Sequence, residues 1–139
     1  MRTHLAAALG AAVLVGGTLL GTPAADAHAA DYPISEFDIT VGNTYTKGLI
    51  TWYDRQVVVI GEHKSVSAAS VESCRATRAY TLDTHDGQLG DGLSDNIVCA
   101  ASASFHFDVP ANVPGGAAVV RVCLTDGFHK PLLCKRYGR

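Results

Sequence analysis

Four cysteines, Cys74, Cys99, Cys123 and Cys134, constrain this chain more than any other feature, because all four lie downstream of an export signal. The signal is read from the first thirty residues. Met1-Arg2-Thr3-His4 is a short basic start, Leu5 to Leu20 is an unbroken run of Leu, Ala, Val, Gly and one Thr, and small residues follow through Ala30. A basic start, an apolar run and a small-residue cleavage site together make a secretory signal peptide. Two A-x-A sites are present, Ala25-Asp26-Ala27 and Ala27-His28-Ala29. Cleavage is expected after Ala29, which divides the chain into a leader, 1–29, and one secreted domain, 30–139. The apolar run is shorter than the about 20 residues that a spanning helix needs. No Cys stands near the cleavage site to carry a lipid, and no twin-Arg pair precedes the run. No second apolar stretch approaches spanning length, so no membrane span is expected after cleavage.

An even number of cysteines in a small exported chain reads as a disulfide framework. Zinc is the competing reading, but no C-x-x-C occurs and no His stands at zinc-site spacing. No metal and no other cofactor is expected. Four cysteines allow three connectivities, which sequence alone does not separate; strand registers favour Cys74–Cys99 and Cys123–Cys134.

Those registers come from short apolar/polar alternations punctuated by turn residues, with no helical period. Lys47 to Tyr53 and Gln56 to Glu62 read as strands around an Asp54-Arg55 turn, which places Ile50 and Trp52 on one face with Val57 and Val59. His63 to Ser73 is a polar stretch without a clear pattern. Cys74 to Leu82 alternates again, and Asn96 to Val109 reads as its partner across an Asp/Gly-rich loop, with Cys99, Ala101, Ala103, Phe105 and Phe107 inward. Setting Cys74 against Cys99 places Arg78 opposite Asp95 and Tyr80 opposite Leu93. A last hairpin, Ala117 to Thr125 with Leu132 to Tyr137, directs Ala118, Val120, Val122 and Leu124 to the core and sets Arg121 opposite Arg136. Phe37, Ile39 and Val41 mark a further strand near the start of the domain. The fold expected is all-β, an antiparallel β-sandwich of immunoglobulin-like kind with two disulfides, and a small closed barrel is the alternative. The core of about 110 residues is modest, which gives two bridges a physical purpose.

The run Lys47 to Gly61 resembles a segment of small exported actinobacterial (Streptomyces-type) proteins. Those proteins also carry a later Phe-x-Phe strand, a Val-Pro-Gly-Gly turn and a Cys-bearing C-terminal hairpin, here Phe105-His106-Phe107, Val113 to Gly116 and Cys123 to Cys134. The resemblance implies a secreted β-sandwich and brings no activity with it. In size and cysteine number the domain is also similar to the chromophore-carrying sandwich apoproteins of the same bacteria.

The chain has 11 Lys and Arg against 13 Asp and Glu, a formal net charge of -2. Removing the leader takes away Arg2 and Asp26, one charge of each sign, so the domain keeps that value. A nucleic-acid binder would carry a basic excess, and none is expected here. No G-x-S-x-G elbow occurs, since Gly92-Leu93-Ser94-Asp95-Asn96 fails at its last position, and no enzymatic activity is expected. The Asp83 to Asp95 loop holds several carboxylates but matches no calcium-loop spacing, so it reads as a solvated turn. Tyr45, Tyr53 and Trp52 are candidates for a sugar-stacking platform, with Trp52 the better core residue.

The final hairpin is the candidate partner-binding element. Arg121, Lys130, Lys135, Arg136 and Arg139 gather there with only Asp126 nearby to offset them, and Phe128 and His129 lie at its tip. Edge-strand protection is the favoured account of such cations, because Lys and Arg blunt the aggregation of exposed strands. The function expected is non-catalytic binding, to a protein or to an anionic surface such as a cell-wall phosphate polymer. The alternative is an inhibitor of an extracellular hydrolase, a protease, acting through the disulfide-closed loop 127–131 with Lys130 entering an acidic pocket.

Overall fold

The computed structural model describes residues 31–139; the expected leader, 1–29, lies outside the described residues. Eight strands follow in chain order: β1 (Ile34–Val41), β2 (Thr44–Trp52), β3 (Gln56–Lys64), β4 (Ala76–Leu82), β5 (Gln88–Leu93), β6 (Ser102–Pro110), β7 (Val119–Thr125) and β8 (Pro131–Gly138). One short 3-10 turn, Val71–Ser73, precedes β4. The strands form two four-stranded sheets, β1-β2-β3-β6 in front and β5-β4-β7-β8 behind, and every pairing is antiparallel. The architecture is a β-sandwich, and neither sheet closes on itself. Leaving β1 aside, β3 pairs with β6, β4 with β7 and β7 with β8, the neighbour relations of an immunoglobulin-like Greek key. No bridge joins β3 to β7, where antibody domains carry theirs.

Alternation fixes which side of each strand faces inward. Phe37 and Ile39 of β1, Ile50 and Trp52 of β2, Val57 and Val59 of β3, and Phe105 and Val109 of β6 meet Ala79 of β4 and Val120, Val122 and Leu124 of β7. The hairpin expected around Asp54-Arg55 is present, with Trp52 opposite Val57 and Ile50 opposite Val59. Gly48 and Gly61 face each other in the same ladder on the inward side. A Cβ on Gly48 would strike the Ile60 carbonyl and the Gly61 backbone, so only glycine permits this close approach of β2 to β3.

Both disulfides form as the registers suggested, Cys74–Cys99 and Cys123–Cys134. Cys123 is directly opposite Cys134 and Arg121 directly opposite Arg136. The hairpin containing Cys74 differs from expectation. Arg75 pairs with Val98, as a Cys74–Cys99 register requires, but β4 then pairs with Gln88–Leu93, two residues out of that register. Arg78 therefore faces Leu93, and Tyr80 faces Asp91. The segment read as loop is strand β5, and its glycines have a spatial reason. A Cβ on Gly90 would meet the Pro110 carbonyl, and one on Gly92 would meet Phe107 and the Asp108 carbonyl, so β5 lies directly against β6 of the other sheet. Asn96 to Ala101, read as strand, is the crossover between sheets. Ala100 takes a left-handed conformation there (φ 51°), and Cys99 and Ala101 are exposed rather than inward. From Ala103 onward β6 alternates as expected, with His106 and Asp108 outward. In the last hairpin Val120, Val122 and Leu124 are buried, but β7 begins at Val119, and Ala117 rather than Ala118 is the buried alanine before it.

The opposite lateral seam, β1 against β8, is closed by side chains. Ser35 donates to the Gly138 carbonyl at 3.2 Å, and Lys135 Nζ to the Asp38 carbonyl at 2.8 Å. The Phe37 and Tyr137 rings meet edge-on beside them, with centroids 6.2 Å apart.

Candidate functional site

Strand directions place four connections at one end of the sandwich: the β1–β2 turn, the β3–β4 segment 65–75, the β5–β6 crossover 94–101 and the β7–β8 turn 126–130. Three of them are fastened together. Cys74–Cys99 joins the second to the third, and the Ser65 hydroxyl donates to the Ser73 carbonyl at 2.7 Å and accepts from the Ala100 amide at 3.3 Å. The Ser65 amide donates to Ala101, and Gly127 N–H to the Val71 carbonyl at 3.1 Å. These contacts convert separate loops into one ordered surface.

The β7–β8 turn is held from inside by Asp126, whose buried carboxylate accepts from the Phe128 and Lys130 amides, each at 2.9 Å. The Asp126 amide donates to the Lys130 carbonyl, and His129 sits at φ 63°. A side-chain cap of this kind supplies the hydrogen bonds a tight turn leaves open. Its consequence is outward presentation of Phe128, which is 64% exposed. Val66, Val71, Ile97 and Leu132 are also exposed at this end. Large apolar side chains gathered on one rigid surface mark an interaction site more often than scattered ones do.

Beneath these loops lies a polar layer. His63 is fully buried at the end of β3, and its Nδ1 is 3.0 Å from the Thr77 hydroxyl, which in turn lies 2.7 Å from that of Thr46. The Ser94 hydroxyl accepts from the Thr77 amide and donates to the Asn96 carbonyl. His63 Nε2 and Asn96 Oδ1 are both buried and close no hydrogen bond of ordinary geometry. Burial pushes the His63 imidazole below the usual histidine range; the neighbouring Asn96 side chain, Glu62 and Asp95 act in the opposite sense without reversing it. The folded state therefore holds His63 neutral, whereas the unfolded chain takes up a proton as pH falls through about 6.5. Stability conferred by neutral His63 is complete above that pH and declines below it. Urea midpoints of the wild type should fall as the pH drops below about 6.5, and His63→Gln should lose that slope. Equal slopes in both proteins would refute the assignment. The polar stretch in which His63 stands hid it, although Val57, Val59, Gly61 and His63 continue one inward period of two.

The candidate binding residues of the last hairpin fall into three places. Phe128, His129 and Lys130 stand at the loop end. Lys135 is turned across the seam to β1. Arg121 and Arg136 lie on the outer face of the back sheet. Asp126 is not their only counter-charge, contrary to the sequence reading. Arg136 is ion-paired with Asp86 of the β4–β5 turn, whose carboxyl is held below its usual range by that hydrogen bond. Arg139 donates to Gly115 and lies 3.7 Å from Asp54. Like charges directly opposite each other destabilise a sheet, and Asp86 offsets part of that repulsion.

Two further expectations separate in space. Trp52 is core, Tyr45 lies on the outer face of the front sheet hydrogen-bonded to Glu62, and Tyr53 packs at a tilt against Tyr32 at the other end, so these rings form no common platform. Asp83 accepts from the His85 and Gly87 amides and so shapes its own turn. An open cavity of about 430 Å³ lies on the front sheet beside Glu36, Asp38, Lys47 and Leu49, outside the space between the sheets. Among the described residues no helix is long and apolar enough to cross a membrane. No protein-family model, curated protein or solved structure matches the chain at significance.

Proposed function

We propose that this is a secreted, non-catalytic binding protein that engages a protein partner through the disulfide-fastened loop end, with Phe128 as the central anchor. The observation that carries the reading is the combination at Phe128 of high exposure and a backbone held by Asp126. A rigid aromatic contributes contact area without the entropy loss of ordering a mobile loop. Export is supported by the two disulfides, which persist in oxidising compartments.

The inhibitor reading draws less support from the same loop. Both the amide and the carbonyl of Lys130 are committed to Asp126, so the turn offers no extended strand to lie in a protease cleft. The test uses immobilised wild type and Phe128→Asp exposed to extracellular medium and cell surfaces. Retained partner should fall about 30-fold or more for the variant, the size expected of a central aromatic anchor. Equal retention by both proteins would refute the site. Inhibition of a protease panel that vanishes with Lys130→Ala would replace it with the inhibitor reading.

A further inference from the structure

The outer face of the back sheet carries a row of side chains in direct register: Asp91 on β5, Tyr80 on β4, Arg121 on β7 and Arg136 on β8. Arg78 stands one row nearer the loop end, on the same face of β4 as Tyr80. Two of the three guanidinium groups are already occupied. Arg78 pairs with Asp91 at 2.6 Å, and Arg136 pairs with Asp86. Arg121, between them, has no carboxylate within ion-pair distance among the described residues. It is nonetheless fixed in place. Its guanidinium lies 4.4 Å from the centre of the Tyr80 ring, whose other neighbour is the Arg78 guanidinium at 5.1 Å. The Arg121 Nε is buried and unpartnered. The next row toward the loop end is the Cys123–Cys134 bridge, which ties β7 to β8 beside the Arg121–Arg136 pair.

We propose that Arg121 and Arg136 form a binding site for a tetrahedral oxyanion, a phosphate or sulfate group. The site does not depend on the loop-end reading. Side chains directly opposite in an antiparallel ladder have Cβ atoms about 5 Å apart, so two arginines there can direct their forks to one anion. The Tyr80 ring covers one face of the Arg121 guanidinium, and with Nε buried it is the terminal N–H groups that are left for the ligand. Asp86 is the resident competitor: it neutralises Arg136 until an oxyanion of higher charge displaces it. Loss of Asp86 should therefore strengthen binding, and saturation by phosphate or sulfate but not by chloride distinguishes a built site from a general response to salt.

The experiment is a titration of the full secreted domain with inorganic phosphate, inorganic sulfate and chloride at matched ionic strength, followed by NMR. Saturable shifts of the Arg121 Nε–Hε and of the Tyr80 and Arg136 amides are expected with phosphate or sulfate and absent with chloride. Arg121→Gln should weaken the phosphate affinity at least 10-fold, Arg136→Gln comparably, and Asp86→Asn should tighten it several-fold. Lys130→Gln, at the loop end, should leave it unchanged. If Arg121→Gln fails to fold, the wild-type titration and the Asp86→Asn variant still decide. Shifts that match chloride, or an unchanged affinity in Asp86→Asn, would overturn the proposal. Comparing a glycerol phosphate oligomer with a sulfated oligosaccharide then identifies the source of the anion: tighter binding of either than of its inorganic ion assigns that source, and tighter binding of neither restricts the site to free oxyanions.

Discussion

Replacing Trp52 with alanine should lower the free energy of unfolding by about 3–5 kcal/mol, the range for deleting a large buried aromatic. Trp52 is 1% exposed and belongs to the central cluster shared by both sheets. Its indole Nε1 donates to the Ser35 hydroxyl at 3.0 Å, and its amide donates to the Pro33 carbonyl at 2.9 Å. Truncation thus opens a cavity and also frees Ser35, which helps to close the seam with β8. Trp52→Phe keeps most of the volume and should cost less. Denaturant unfolding monitored by far-UV circular dichroism supplies the measurement. A loss below about 1 kcal/mol for the alanine variant would place the ring outside the cooperative core.

Removing the Cys74–Cys99 bridge by paired serine substitution should cost about 3.5 kcal/mol on the chain-entropy scale, because the bridge closes a 25-residue separation. The same change at Cys123–Cys134, separated by 11 residues, should cost about 2.8 kcal/mol. The two variants should differ more in where they loosen than in how much. Without Cys74–Cys99 the β3–β4 and β5–β6 segments keep only hydrogen bonds between them, so amides from Ser65 to Arg75 and from Asn96 to Ala101 should exchange faster. Without Cys123–Cys134 the exchange should rise mainly in β8. Uniform exchange changes in both would show that the bridges act on the unfolded chain alone.

Much of the sandwich is legible wherever a strand has one wet and one dry face. Phe105 and Val109 alternating with His106 and Asp108 is such a pattern, and Ile50 and Trp52 against Val57 and Val59 is another. Cys123–Cys134 follows from register, its cysteines lying directly opposite, whereas only the isolated Arg75–Val98 bridge keeps the register that suggested Cys74–Cys99. The failures have a common physical cause, the influence of the second sheet. Gln88–Leu93 carries Gly90 and Gly92 because β6 passes too close for side chains, and locally those residues look like a turn. Ile97, Val98 and Ala100 look like a strand but carry the chain between sheets. The Arg136–Asp86 pair joins residues 50 apart, so no local pattern of charge reveals it. The loop end is likewise assembled from three distant segments, and of these only the Phe128 turn, closed between Cys123 and Cys134, stands out in the sequence.

The lateral seams limit how any partner can be held. Strand addition requires free main-chain groups along an exposed sheet margin. Here the Asp38 and Gly138 carbonyls are occupied by Lys135 and Ser35, the Ser104 carbonyl accepts from Asn96, and the Pro110 carbonyl accepts from Thr81. At these four points a partner strand would have to displace a side chain before it could pair, so strand addition is opposed there and recognition through side chains on an end or a face is favoured. The same four caps place a local obstacle to edge-to-edge pairing on β1, β6 and β8, in the way that inward or crossing charged and polar side chains blunt an exposed strand.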